Sequence, residues 1–143
     1  MFIAIPYSDY PFEDSIIEVL QHSGLVPILA KDKIESTLLL CKVCKNIRKC
    51  KYGVVDISKS NFNVIYELGL MQSLGKKCAI LFLEGSSRPN DLQGIENIIY
   101  KNNPDSLKLE LGKWIRDNVL EIEEERLISY LSNLAIKISG LLL

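Results

Sequence analysis

The chain has 143 residues, 48% of them hydrophobic and 24% charged, with a formal net charge of −1. That length and composition suit one globular domain around one core, and the near-zero charge with scattered lysines excludes the basic face of a dedicated nucleic-acid binder. No apolar run reaches the roughly 18 residues of a membrane span, and Met1–Ile5 is too short for a secretory h-region before Pro6, so a cytoplasmic protein is expected.

Phe2 to Ile5 reads as a short buried strand, and the turn-rich Pro6-Tyr7-Ser8-Asp9-Tyr10-Pro11 cannot continue it. Phe12 to Ser23 has apolar residues at helical spacing (Ile16, Ile17, Val19, Leu20), and Gly24 stands where a C-terminal cap is expected. Val26–Leu29 is a second strand, and Ile34–Arg48 a second helix whose basic end suits its dipole. Cys41, Cys44 and Cys50 fall on and just after this helix as C-x2-C-x5-C, with Cys78 downstream. Four thiolates can hold zinc, but a C-x2-C pair on an apolar helix face reads first as core packing, and no metal is expected.

Tyr52–Ile57 is apolar until Asp56, the pattern of a parallel strand buried on both faces. A helix capped by Ser60 or Asn61 follows to about Leu74, with Gly75 as its stop, and Cys78–Leu83 is the fourth strand. The turn-dense Glu84–Asp91 leads to a fifth strand at Asn97–Tyr100. Pro104 opens a helix through Trp114, and Val119 to about Ser139 forms a longer one. Its Leu127, Leu131, Leu134, Ile138 and Leu141 recur in steps of four and three, a stripe expected to pack on the sheet or, failing that, to join a homodimer. The alternation predicts a flavodoxin-like, Rossmannoid α/β domain. It has a five-stranded parallel sheet, helices on both faces and two C-terminal helices: a core over 1–101 and a helical segment over 104–143.

Glu67 is the only acid between Asp56 and Glu84, and its helix neighbours Val64, Leu70 and Met71 are apolar. A carboxylate there must reach water, a donor or a ligand, because burying it unpaired costs several kcal/mol. In an open parallel sheet, the loops after the first and third strands open on one edge, so Tyr7, Ser8, Asp9, Asp56 and Glu67 are expected to converge. Asn61 and Asn63 add amides suited to sugar hydroxyls, although asparagine at a helix start most often caps it. Ser86, Ser87 and Arg88, after the fourth strand, are candidates for holding a phosphate. The chain lacks G-x-G-x-x-G and G-x4-G-K-[ST], and its one histidine, His22, suits the dipole of the first helix better than a hydrolytic triad.

The run Asp56-Ile57-Ser58…Asn61-Phe62-Asn63-Val64-Ile65-Tyr66-Glu67-Leu68-Gly69-Leu70-Met71, with Pro89-Asn90-Asp91-Leu92-Gln93-Gly94…Tyr100, resembles TIR-like predicted nucleotide-binding proteins, relatives of nucleoside 2-deoxyribosyltransferases. The likeness covers residues 1 to 101. It implies that Glu67 acts at the anomeric carbon or the ribose hydroxyls, that Asp56 is a second catalytic acid, and that Tyr7 orients the nucleophile. Ser8, Asp9, Asn61, Asn63, Ser86, Ser87 and Arg88 would then bind substrate.

The deoxyribosyltransferases usually carry an aspartate where this chain has Asn61, and an amide is a poor proton donor. That departure suits a leaving group that is already cationic, such as the nicotinamide of NAD, which would enter as substrate and not as cofactor. The expected function is therefore a nucleotide or nucleoside N-glycosidase or glycosyltransferase. The competing reading is a nucleotide-sensing or TIR-like interaction module without turnover, in each case as a monomer or a homo-oligomer. A flavin-binding electron carrier is the third reading of the same sheet.

Overall fold

A computed structural model describes residues 1–29, 39–87 and 94–141 of the chain. Its elements are β1 (Phe2–Ala4), α1 (Glu13–His22), β2 (Ile28–Leu29), α2 (Leu39–Lys49), β3 (Tyr52–Asp56), α3 (Phe62–Ser73), β4 (Lys77–Leu83), β5 (Ile98–Tyr100) and α4 (Pro104–Ile115). A π-helical segment, Arg116–Leu120, and α5 (Glu121–Leu141) follow. The strands form one sheet in the order β2-β1-β3-β4-β5, and every pairing is parallel. The register sets Phe2 opposite both Ile28 and Gly53, and Asp56 opposite Leu81. This is the expected five-stranded α/β architecture, and the chain order reverses between β1 and β3, the place where such sheets leave a crevice.

Alternation along the strands decides which helix covers which face. Phe2, Ala4, Val55, Ile57, Ile80 and Phe82 form one cluster with Val43 and Ile47 of α2 and Val64, Leu68 and Met71 of α3, all nearly inaccessible. Ile3, Val54, Ala79 and Leu81 have the opposite parity and point to the other face. The right-handed crossover from β1 to β2 brings α1 to that face, where it buries Ile16 and Leu20, and α4, which follows β5, buries Leu107 and Leu111.

Gly53 marks the tightest approach of helix to sheet. A Cβ there would stand 2.5 Å from Met71 Sδ and 3.1 Å from Cys78 Sγ, and Met71, only 1% exposed, has nowhere to swing. Gly53→Ala is therefore expected to destabilise the fold by about 1–3 kcal/mol, as overpacked cores do, which a urea unfolding curve reads directly. Cys78 sits in the same packing, and burial pushes its thiol up to about 11. Cys50 is also buried and Cys44 half-buried. Cys50 and Cys78 pack in the hydrophobic cluster as small apolar groups, and the side chain of Cys41 lies outside the described residues.

Several boundaries differ from expectation. β2 is shorter by the two residues Val26 and Pro27, and β3 closes at Asp56, because the Asp56 carboxylate turns back to the Ser58 N–H and bends the chain. The first part of the expected helix from Ile34 lies outside the described residues. The chain does not break after Trp114: α4 runs through the π-helical segment into α5, with Asn118 Nδ2 donating to the Trp114 carbonyl at 2.9 Å.

The chain divides into two compact units, Met1–Gly112 and Lys113–Leu143. In the second, Leu127, Ile128, Leu131 and Leu134 are each more than 40% exposed, and the side chains of Ile138 and Leu141 lie outside the described residues. No helix among the described residues is long and apolar enough to cross a membrane.

Candidate functional site

Two recesses open along the edge where the strands end, and the loop that follows β1 runs between them, with Pro6 lining both. The first is built on α3. Asn61 starts this helix by accepting from the Asn63 and Val64 N–H groups at 3.0 and 3.3 Å, a side-chain cap that fixes the helix phase. With that phase Val64, Leu68 and Met71 enter the core, and Glu67 lies on the buried side with only 5% exposure. Its carboxylate faces the Tyr7 hydroxyl, which donates to Oε1 at 3.5 Å. The space beside them, walled by Ile3, Ile5 and Leu29, amounts to about 10 Å³, room for a single water.

Electrostatics follow from that burial. Glu67 is pushed up to about 7 because desolvation disfavours its charged form, a rise that the Tyr7 hydrogen bond partly opposes. Tyr7 is raised as well, first by burial and then by the negative charge of Glu67. Glu67 is therefore poised to change protonation near neutrality while Tyr7 stays a donor, and such perturbed carboxyls cluster at functional sites.

The second recess is far larger, about 330 Å³, and is lined by the loops after β1, β3, β4 and β5. Its floor is Asp56, 1% exposed. The Tyr10 and Tyr100 hydroxyls both donate to Asp56 Oδ2, at 2.5 and 2.6 Å, and the Ser58 N–H donates to Oδ1 at 2.8 Å. Burial and the adjacent Asp56 carboxylate raise both phenols far above their ordinary range, so each stays a donor. Phe12 meets both rings edge to face, at 6.0 and 5.5 Å. At the rim, Lys59 Nζ donates to the Asp9 carbonyl at 3.4 Å, and Asp9 itself adopts a left-handed φ of 55°, which aspartate tolerates better than most residues.

The expected convergence is thus only partly realised. Tyr7 and Glu67 meet in the first recess, and Asp9, Asp56 and Ser86 line the second. The loop after β1 contributes to both, with Pro6 lining each, Tyr7 the first and Asp9 and Tyr10 the second. Asn61 caps its helix, Asn63, Ser8 and Ser87 are exposed and line neither recess, and Arg88 lies outside the described residues. Tyr10, Tyr100 and Lys59 escaped the sequence reading. A tyrosine at the carboxyl end of a strand, as Tyr100 is, was the available signal. Among the described residues no cluster of histidine, cysteine and carboxylate side chains could hold a metal ion.

No family model and no curated protein matches this sequence. The structure is similar to that of the TIR domain of the Toll-related receptor TRR-2 from Hydra magnipapillata, with a TM-score of 0.65 over 81% of this chain and 94% of that one at 12% identity. At that identity the likeness shows a shared TIR-type fold.

Proposed function

We propose that this protein is an N-glycosidase or glycosyltransferase acting on a nucleotide or nucleoside, with Glu67 as the group that faces the anomeric carbon. The observation that carries the reading is a helix-borne carboxylate 5% exposed, paired with a tyrosine hydroxyl, at the edge of an open α/β sheet. Cleaving an N-glycosidic bond passes through an oxocarbenium-like state, and a carboxylate in a dry recess stabilises that positive charge or traps it covalently. Tyr7 orients the carboxylate. A nicotinamide leaves without being protonated, so an NAD-type substrate needs one acid where an ordinary base would need two. The shared fold supports the family relation to TIR domains, and the deoxyribosyltransferase kinship rests on the Asn61…Glu67 motif.

The 330 Å³ recess offers the volume for the bulk of such a ligand, with Lys59 and Ser86 at hand for a phosphate. One observation favours a second reading: that larger recess does not include Glu67. A nucleotide held there without turnover would make the protein a sensing or interaction module, in keeping with the receptor origin of its structural neighbour.

Incubating the protein with NAD and with deoxynucleosides, and following free base by chromatography, tests the first reading. Base release should rise as pH passes through about 7, where Glu67 ionises. A nucleotide that raises the melting temperature without any base release selects the second.

A further inference from the structure

We propose that Asp56 is a positioning residue, which ties the loop carrying Tyr7 to the sheet and takes no part at the reacting sugar. Its kinetic consequence rests on the glycosidase reading; its structural consequence does not.

The carboxylate has little left to offer a substrate. Oδ2 accepts from Tyr10 at 2.5 Å and Tyr100 at 2.6 Å, Oδ1 accepts from the Ser58 N–H at 2.8 Å, and the side chain is 1% exposed. A carboxylate has about four lone-pair directions, so three are committed to the protein. A group that protonates a base or stabilises a cation must touch it, and Asp56 is enclosed by its own donors.

What the three donors share is their origin on separate parts of the chain. Tyr10 belongs to the loop after β1, Tyr100 ends β5, and Ser58 follows β3 while its Oγ accepts from the Leu83 N–H of β4 at 2.7 Å. One carboxylate thereby joins the ends of three strands to the loop on which Tyr7 stands, three residues before Tyr10. Pro6 and Pro11 stiffen that loop at both ends. Holding Tyr10 in place holds Tyr7 within reach of Glu67, and the 3.5 Å separation of that pair leaves little slack before the contact is lost.

Tyr10→Phe provides the decisive variant, since it removes the tether while leaving the Asp56 carboxylate and its charge in place. Amide hydrogen exchange over residues 7–10 should quicken about tenfold in both Tyr10→Phe and Asp56→Asn relative to the unaltered protein. In base release, both variants should lose between about ten- and a hundredfold in kcat with little change in KM, and the double variant should be no worse than Asp56→Asn alone.

Unchanged exchange over residues 7–10 in both variants overturns the proposal. So does a Tyr10→Phe protein with full kcat beside an inactive Asp56→Asn, the pattern of a carboxylate acting directly on substrate. If the unaltered protein releases no base, the glycosidase reading fails, and exchange alone then decides whether Asp56 holds the loop.

Discussion

Replacing Glu67 by Gln is expected to cut base release by at least about a hundredfold and, in the same molecule, to raise stability above pH 7. The first effect follows from removing a buried negative charge aimed at a developing cation, which costs on the order of 10²–10³ in rate when a single such group is lost. The second follows from the price of burying that charge. The carboxyl titrates near 7 in the folded protein and at 4.5 when unperturbed, so it favours the folded state when protonated. That contribution is complete below about pH 4.5 and is lost as pH rises through about 7.

Glutamine keeps the shape and stays neutral throughout. The separation of the two pKa values corresponds to at most about 3 kcal/mol, and water at the mouth of the recess reduces the expected gain to about 2 kcal/mol at pH 8.5. Urea unfolding of both proteins at pH 5 and pH 8.5 measures it. A stability difference that does not change with pH means that Glu67 is not desolvated, and the catalytic assignment loses its footing. A variant that is both more stable and inactive has the signature of a site whose function is maintained at the expense of stability.

Leu68→Ala should have the largest effect on stability alone. Leu68 is 1% exposed and packs between α3 and the sheet beside Val55, Ile57 and Met71. Truncating a fully buried leucine in such a cluster costs about 2–5 kcal/mol, the spread reflecting how far the cavity collapses, and the melting temperature should fall by roughly 10 °C. Phe62, on the same helix but 91% exposed, is the internal comparison: Phe62→Ala should stay within about 0.5 kcal/mol of the unaltered protein. Equal losses for both would mean that α3 turns a different face to the sheet, and Glu67 would then not be buried.

α3 marks the limit of what local sequence decides. The helix is apolar nearly all round, so spacing alone left Glu67 as readily a solvated charge as a buried one. Asn61 was legible as a cap, and that cap fixes the phase that turns Glu67 inward. Asp56 was legible as the end of β3 and as an acid at the right edge of the sheet. Its partners were not: Tyr10 lies 46 residues away and Tyr100 lies 44 away, and neither spacing carries a local signal. The heptad-like stripe of α5 was visible from its period, but period says only that a face is apolar and not what covers it.

Hydrophobic period, turn residues and caps act over a few neighbouring residues, which is why five strands, their alternation with helices and the parallel sheet could be read from the chain. The division of the acids between two recesses, the burial that raises Glu67 and the enclosure of Asp56 by two phenols arise between segments forty or more residues apart. They exist only once β1, β3, β4 and β5 lie side by side, because desolvation and hydrogen bonding depend on what stands within a few ångströms and not on what adjoins in the chain.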